Sequence, residues 1–235
     1  MASEESRRQF VNFVFFKADP AWRRLPPKER ERSKAQFCQV ATEWGHSGRM
    51  NVLSYTTVGM RADVDFMLWR VCYHLEELQE MTTALLATEL GHYLTTPYSY
   101  LAMTRRSTYV IEHQHEGQLD SRGQIVPGQY KYLFVYPFVK TRQWYRMSLP
   151  ARQGMMNEHI TIGHKYPLVK LNTTYSFGLD DQDFVVAFES DHPDNFLDLV
   201  MELRESEASL YTVRDTPIFT CILKDIKSTL DTLGG

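Results

Sequence analysis

The sequence predicts an α+β fold built from two tandem units, because the order of hydrophobic periods repeats and two short stretches recur. Apolar residues that recur every second position indicate a strand, and those that recur every 3.6 positions indicate a helix. Assigned in this way, each half shows the order βαββαβ. Residues 59–66 resemble residues 178–184, and Trp22 before a Leu-Pro pair resembles Trp144 before another. Both offsets are about 120 positions, which is the pattern that a tandem duplication leaves.

The first half begins with an apolar run that is typical of a buried strand. A proline then falls near the first turn of a helix, where it is tolerated. Further runs predict two strands, a second helix and a closing strand. We expect strands at 10–16, 50–58, 63–72 and 98–105, and helices at 27–44 and 75–93.

The second half repeats this order. We expect strands at 130–138, 167–177, 183–189 and 217–223, and helices at 149–163 and 193–207. A four-stranded antiparallel sheet with both helices on one face leaves its other face in need of cover. We therefore expect two ferredoxin-like halves that close over each other.

The segment that joins the halves, residues 105–129, is rich in turn-forming residues and shows no periodicity. It is interpreted as an interdomain loop, either a functional lid or a plain linker. The predicted organisation is an N-terminal ferredoxin-like domain at 1–108, an interdomain loop at 109–129 and a C-terminal ferredoxin-like domain at 130–235.

Composition excludes several classes of protein. The 235 residues carry a net charge of -3 with no basic run, so nucleic acid is not expected as a partner. No apolar run approaches the roughly 20 residues of a membrane span, and no signal peptide is recognised, so we expect a cytoplasmic protein. The 3 cysteines are scattered without CxxC spacing, which indicates neither a disulfide framework nor a zinc site.

The start of the second half brings together three side chains with distinctive chemistry. Tyr136 lies in an apolar strand, Lys140 follows four positions later, and His159 lies on an apolar helix after two methionines. A redox-capable phenol, a cation and an imidazole are the parts that a haem site needs. Taken singly, each also fits a structural role: a strand aromatic, a strand-end charge and a core histidine.

On these residues the chain resembles the chlorite dismutase-like superfamily and, within it, the coproheme decarboxylases. The resemblance spans nearly the whole chain, is specific from 132 to about 219, and rests on the duplicated topology before that. It implies tandem ferredoxin-like repeats that form a dimeric α/β barrel, usually a homopentamer. It also implies an iron porphyrin bound in the second domain.

The resemblance assigns His159 as the iron ligand, because the family's ligand histidine lies on the helix after the first strand of the second domain. Met155, Met156 and Ile160 surround it at helical spacings and give an apolar wall. Glu207 falls near the family's glutamate that accepts a hydrogen bond from this histidine. A solvated helix face is the alternative for Glu207.

In the decarboxylases, a Tyr-Pro-Met or Tyr-Pro-Phe strand end supplies the radical-forming tyrosine, and Tyr136 in Tyr-Pro-Phe matches it. Lys140 matches a lysine that contacts a porphyrin propionate. Tyr136 and His159 are 23 positions apart, as in the shorter-loop decarboxylases of the actinobacterial type. Tyr136 alternates with Phe134 and Phe138, so an aromatic core stripe is the alternative.

The distal residue departs from the family, which places Arg or Gln thirteen positions after the ligand histidine, where this chain has Asn172. Without a guanidinium, chlorite would lose charge-assisted hydrogen bonds worth roughly 1.5–3 kcal/mol each, so efficient chlorite dismutation is not expected. A distal histidine is implied from the loop that holds His113 and His115, with Arg122 beside a propionate. Solvated loop residues are the alternative for all three. The distal base is therefore expected to be Asn172, His113, His115 or water.

The resemblance implies that hydrogen peroxide is used to decarboxylate iron-coproporphyrin III, which is both substrate and redox centre, to haem b. This would be the last step of a coproporphyrin-dependent haem biosynthesis. Tyr136, once oxidised, would take a hydrogen atom from a propionate β-carbon, and loss of carbon dioxide would leave a vinyl group. Three alternatives stay open: a haem carrier or sensor, a haem peroxidase without efficient chlorite dismutation, and a protein of this fold that binds no porphyrin.

Overall fold

The computed structural model describes residues 7–109 and 124–234, and its first half follows the predicted order of strands and helices. A short helix after the first strand and a 3-10 helix before the last strand are additional. The elements are β1 (Phe10–Ala18), α1 (Pro20–Arg23), α2 (Pro27–His46), β2 (Met50–Thr56), β3 (Phe66–Cys72), α3 (Leu75–Leu86), the 3-10 helix (Gly91–Tyr93) and β4 (Leu94–Met103).

The second half also follows the predicted order and adds several short elements. The elements are β5 (Tyr132–Lys140), α4 (Arg142–Arg146), α5 (Leu149–His164), β6 (Lys170–Tyr175), β7 (Phe184–Ser190), α6 (Pro193–Glu205), a 3-10 helix (Glu207–Tyr211), β8 (Thr212–Arg214), β9 (Phe219–Lys224) and α7 (Ile226–Asp231). A helix that was predicted to reach 207 therefore ends at Glu205.

Helix boundaries follow local capping chemistry. α2 and α6 each begin at a proline, which loses nothing there because the first N–H groups of a helix have no partner within it. The Ser148 side chain caps α5 by accepting a hydrogen bond from the Ala151 N–H at 3.4 Å. The helix predicted at 75–93 ends early, at Leu86. The chain then folds back on the end of this helix. It comes so close that a Cβ on Gly91 would collide with the backbone of Leu85.

The strands form one antiparallel sheet that both halves share. Its order is β7-β6-β4-β1-β3-β2-β9-β5-β8, and β7 also pairs with β5. The run of pairings from β7 to β5 therefore returns to β7, while β8 lies beside the end of β5. A mixed α/β fold with an antiparallel sheet is confirmed. In the parts of the chain that the structure describes, no helix has the length and apolar character needed to span a bilayer.

Side chains alternate between the two faces of the sheet, and each face has its own core. One face carries the central core, where strands of both halves pack together. Its members include Val11, Phe13, Trp69, Leu133, Val135, Val185, Ala187 and Phe219. The other face packs against helices: α2 and α3 cover it in the first half, and α5 and α6 lie on it in the second. The predicted site residues are divided between these two faces.

Candidate functional site

Tyr136 lies on the helix-facing side of β5. It pairs with Val186 of β7 and packs in a cluster with Phe188 and with Phe196 of α6. The rings of Tyr136 and Phe188 are 6.2 Å apart and nearly parallel. Burial, followed by the nearby Asp215 carboxylate, raises the pKa of the Tyr136 phenol above its ordinary value. The phenol therefore keeps its proton at neutral pH.

Lys140 ends β5, four residues beyond Tyr136. Its Nζ donates a hydrogen bond to the Ala208 carbonyl oxygen at 2.6 Å and lies 4.5 Å from the centre of the Trp144 ring. Burial lowers the pKa of Lys140 to about 8, because the ammonium is partly removed from water. An anion that reaches this site would favour the charged form.

His159 lies on α5, close enough to Lys140 for the charge of the lysine to act on the imidazole. Burial, followed by the positive charge of Lys140, lowers the pKa of His159 to about 4. The imidazole is therefore neutral at physiological pH, which is the form that binds a metal ion through a ring nitrogen. The structure brings Lys140 and His159 together as predicted.

α5 packs against the rest of the protein on both sides of His159. Met155 is the one buried residue of this helix, all of which the structure describes, and it packs with Trp144 and Ala208. Near the other end, Ile162 packs against the cluster that contains Tyr136. His159 lies between these contacts along the helix.

The helix-facing side of the sheet is incompletely covered in the second half. Its helix-facing residues Phe138, Thr173, Phe184 and Val186 are only half-buried, and Leu171 is 50% exposed. Elsewhere in a protein of this size, apolar strand residues of this kind are usually fully buried. The face therefore offers an accessible apolar surface.

The first half gives a direct comparison. There, Val14 and Phe16 of β1 and Phe66 and Leu68 of β3 occupy the helix-facing side, and each is at most 2% exposed. The same arrangement is thus filled by side chains in one half and left partly open in the other. The open half lies on the same face of the sheet as Tyr136.

Asn172, a candidate for the distal base, does not share a face of the sheet with Tyr136. It pairs with Ala187 of the central core, whereas Thr173 pairs with Val186, the partner of Tyr136. Asn172 and Tyr136 therefore lie on opposite faces of the sheet. The Asn172 amide donates a hydrogen bond to the fully buried Glu189 carboxylate at 2.9 Å. Its position indicates a structural role.

Glu207 lies near the helix that carries His159. Glu207 is exposed, and its backbone N–H donates to the carboxylate of Glu158, the neighbour of His159, at 3.1 Å. This hydrogen bond joins the start of the second 3-10 helix to α5. Arg122, His113 and His115 lie outside the described residues, as does most of the predicted interdomain loop.

Two residues that the sequence reasoning missed support Lys140. Asp183 accepts hydrogen bonds from the Lys140 backbone N–H at 2.8 Å and from the Tyr145 hydroxyl at 2.7 Å. In the first half, Asp65 likewise accepts from the Ala18 N–H at 2.9 Å. The repeated stretches 59–66 and 178–184 contain these aspartates, so the repeat itself was the signal for a strand-end carboxylate.

Fold and site together define a class of protein: an α+β sheet protein with a neutral histidine, a partly buried lysine and a buried tyrosine around an open apolar surface. The model of the chlorite dismutase family matches residues 30–224. The chain belongs to the chlorite dismutase family.

Individual relatives agree with this family. The coproheme decarboxylase of Mycolicibacterium smegmatis is 32% identical over 167 residues, which cover 71% of this chain and 70% of that protein. A chlorite dismutase variant from Candidatus Nitrospira defluvii has a TM-score of 0.87 at 26% identity, covering 98% of this chain and 97% of that one. A protein from Thermus thermophilus, described as a novel heme-binding protein, has a TM-score of 0.83 at 25% identity, covering 97% and 95%.

Proposed function

We propose that this protein is a haem-dependent enzyme that uses hydrogen peroxide to decarboxylate iron-coproporphyrin III to haem b. The observation that carries the proposal is the arrangement of Tyr136, Lys140 and His159 around an apolar sheet surface that α5 leaves open. The relative from Mycolicibacterium smegmatis, named a coproheme decarboxylase, supports it. The reaction would be the last step of a coproporphyrin-dependent haem biosynthesis.

The iron porphyrin fits the site as a ligand. His159 is neutral and would offer a ring nitrogen to the iron. When bound, the iron porphyrin supplies the redox chemistry with peroxide, and the protein supplies binding and orientation. The half-buried Phe138 and Val186 would contact the apolar porphyrin face and exclude water from it.

Tyr136 would act as the hydrogen-atom acceptor after it has been oxidised. Because its pKa is raised by burial, the neutral phenol must lose its proton together with its electron. The resulting radical can then take a hydrogen atom from a propionate β-carbon that rests near the phenol oxygen. Loss of carbon dioxide and of a second electron would leave a vinyl group, and hydrogen peroxide would accept both electrons of the round and be reduced to water.

Lys140 would hold a propionate. An ammonium group has three donors, and one of them is occupied by the Ala208 carbonyl. The other two would donate to a carboxylate at the porphyrin edge. Asp183, which accepts from the Lys140 backbone N–H, would fix the strand end that carries this lysine.

Asn172 has no place in this chemistry, since it lies on the opposite face of the sheet from Tyr136. The distal base would come from His115, His113 or water, and Arg122 would meet a propionate. Glu207 would support His159 from the start of its 3-10 helix.

The finer architecture is part of the same proposal. The return of the strand pairings to β7 supports two ferredoxin-like domains, at 1–108 and 130–235, whose strands close into a dimeric α/β barrel. The loop at 109–129 would join them. We further propose a cytoplasmic homopentamer.

Mass spectrometry of the porphyrin tests the proposal. Protein loaded with iron-coproporphyrin III is titrated with hydrogen peroxide beside Tyr136→Phe and a matched control, Tyr132→Phe, which alters the same face of β5 four residues earlier. We expect stepwise loss of two carboxyl groups in the wild type and the control, and none in Tyr136→Phe. Porphyrin binding without decarboxylation in any of the three would instead favour a haem carrier or sensor.

A further inference from the structure

Arg152 stands out on α5 because part of its guanidinium group is buried without a partner. Its Nε is enclosed by protein, and within 7–109 and 124–234 no atom accepts a hydrogen bond from it. Leaving a buried N–H of a charged group unpaired is costly, so such groups normally have an acceptor in the functional state. Neither the proposed iron ligation nor the proposed radical step uses Arg152.

The position of Arg152 relates it to the site. It precedes His159 by seven residues, which is close to two helical turns, so the two side chains leave α5 on the same face. At 1.5 Å per residue, their backbones are separated by roughly 10 Å along the helix axis. If the iron lies at His159, Arg152 lies toward the edge of the macrocycle.

The surroundings of Arg152 are aromatic and belong to the same site. Its guanidinium carbon lies 5.9 Å from the centre of the Tyr109 ring. It is also close enough to Tyr145 for its charge to oppose the rise in the pKa of that phenol. Tyr145 bonds to Asp183, which holds the strand end of Lys140, so both cations border one region.

We propose that Arg152 binds a carboxylate at the edge of the porphyrin, and that it does so in addition to Lys140. This inference rests on the proposed function, since it names how the same site recognises its substrate. A guanidinium offers a planar fork of donors that matches a carboxylate with two parallel hydrogen bonds, which an ammonium cannot supply. A substrate with four propionates would engage both cations, at separate points on its rim.

Equilibrium binding tests this role independently of turnover. The affinity for iron-coproporphyrin III, and for its tetramethyl ester in the same detergent buffer, is measured by absorbance for the wild type, Arg152→Gln and Arg152→Lys. Lys165→Gln is the matched control, because it removes one positive charge from the end of α5, where Lys165 pairs with Glu202 on the outer surface. Thermal unfolding checks that each variant is folded.

We expect Arg152→Gln to weaken binding of the free acid by about tenfold or more, as for loss of a charge-assisted hydrogen bond. Binding of the ester should be unchanged, Arg152→Lys should recover part of the loss, and Lys165→Gln should bind as the wild type does. Equal affinities of Arg152→Gln and the wild type for the acid would overturn the inference. Equal losses for acid and ester would do the same.

The affinity measurements on Arg152 and the test of decarboxylation can fail independently of each other. Normal decarboxylation together with an unaltered affinity in Arg152→Gln rejects the role of Arg152 alone. Selective loss of acid binding in a protein that never decarboxylates supports the carboxylate contact and rejects the enzyme. Absence of porphyrin binding by the wild type rejects both.

Discussion

At the scale of single residues, the site depends on how burial sets charge. His159 and Lys140 are basic groups whose pKa values fall because the charged forms lose water, while the pKa of Tyr136 rises for the same reason. Two of the three groups, the imidazole and the phenol, are therefore uncharged at neutral pH. This suits an apolar ligand surface with a cation at its edge.

The pKa of His159 predicts a pH dependence of stability in the porphyrin-free protein. Its folded value of about 4 lies below its ordinary value of 6.5, so the unfolded chain binds the extra proton between these pH values. Stability contributed by the neutral imidazole is therefore complete above pH 6.5 and is lost as the pH falls toward 4. Between pH 7 and 5 the loss is about 2 kcal/mol at most.

Urea unfolding at pH 7 and pH 5 checks this expectation. Wild type and His159→Gln share every other titrating group, so the difference between their pH responses isolates His159. The wild type should lose more stability on acidification than the variant. Identical pH responses would show that the imidazole is solvated in the folded protein.

Asn172 should contribute to the stability of the fold and not to the rate of decarboxylation. Replacing it by Ala removes a hydrogen bond to the buried Glu189 carboxylate and should destabilise the protein by roughly 1–3 kcal/mol. Because Asn172 lies on the face away from Tyr136, the rate of decarboxylation per folded, porphyrin-loaded molecule should not change. Single-turnover kinetics beside denaturant unfolding measure both quantities, and a large rate loss at normal porphyrin affinity would restore Asn172 to the catalytic site.

At the scale of elements, the two halves differ in how their helices cover the sheet. α2 buries Phe37 and Ala41 against a filled core, whereas α5 buries Met155 and leaves much of its sheet surface half-exposed. Helical stability comes mainly from packing of an apolar face, so we expect α5 to depend more on its ends and on the proposed ligand than α2 does on anything outside its core.

Matched phenylalanines in the two halves test this difference. Phe16 is fully buried beside Phe37 and Phe66, and Phe16→Ala should cost roughly 3–5 kcal/mol of the free energy of unfolding. Phe138, which has the corresponding place in β5, is half-buried, so Phe138→Ala should cost less than half as much in the porphyrin-free protein. Chemical denaturation of both variants provides the comparison, and equal costs would show that the second half is as tightly packed as the first.

At the scale of the whole molecule, both halves share one sheet and one central core. β9 of the second half pairs with β2 of the first and with β5 of its own half. The last residues also return to the first half: Lys34 of α2 contacts Asp231 at 2.7 Å, and Arg30 donates to the Gly234 carbonyl at 2.8 Å. Such sharing couples the stability of the halves.

The fragment 130–235 should therefore not fold alone. Without the first half, the edge of β9 and the central-core side chains of the second half, such as Val135 and Phe219, would face water. Circular dichroism and amide NMR of the fragment should show an unfolded or aggregated chain, and the intact protein should unfold in one transition. A monomeric fragment with dispersed amide signals would contradict the shared core.

Much of this architecture could be predicted from the sequence, because it depends on local pattern. Period and proline placement located the long strands and helices, and the positions of Tyr136, Lys140 and His159 in the sequence indicated the candidate site. The face on which Asn172 lies depends on the pairing of β6 with β7, which no local pattern determines. Arg152 was missed because its burial arises from tertiary contacts with the region of Tyr109 and Tyr145.

We propose that an iron porphyrin lies between α5 and the sheet with His159 as the iron ligand. Resonance Raman spectroscopy of the ferrous iron-coproporphyrin III complex tests it most directly, because an iron–histidine stretching band reports that bond. We predict the band in the wild type, its loss in His159→Gly, and its return in that variant on addition of imidazole. An unchanged band in His159→Gly would contradict ligation by His159 and assign the iron to another histidine.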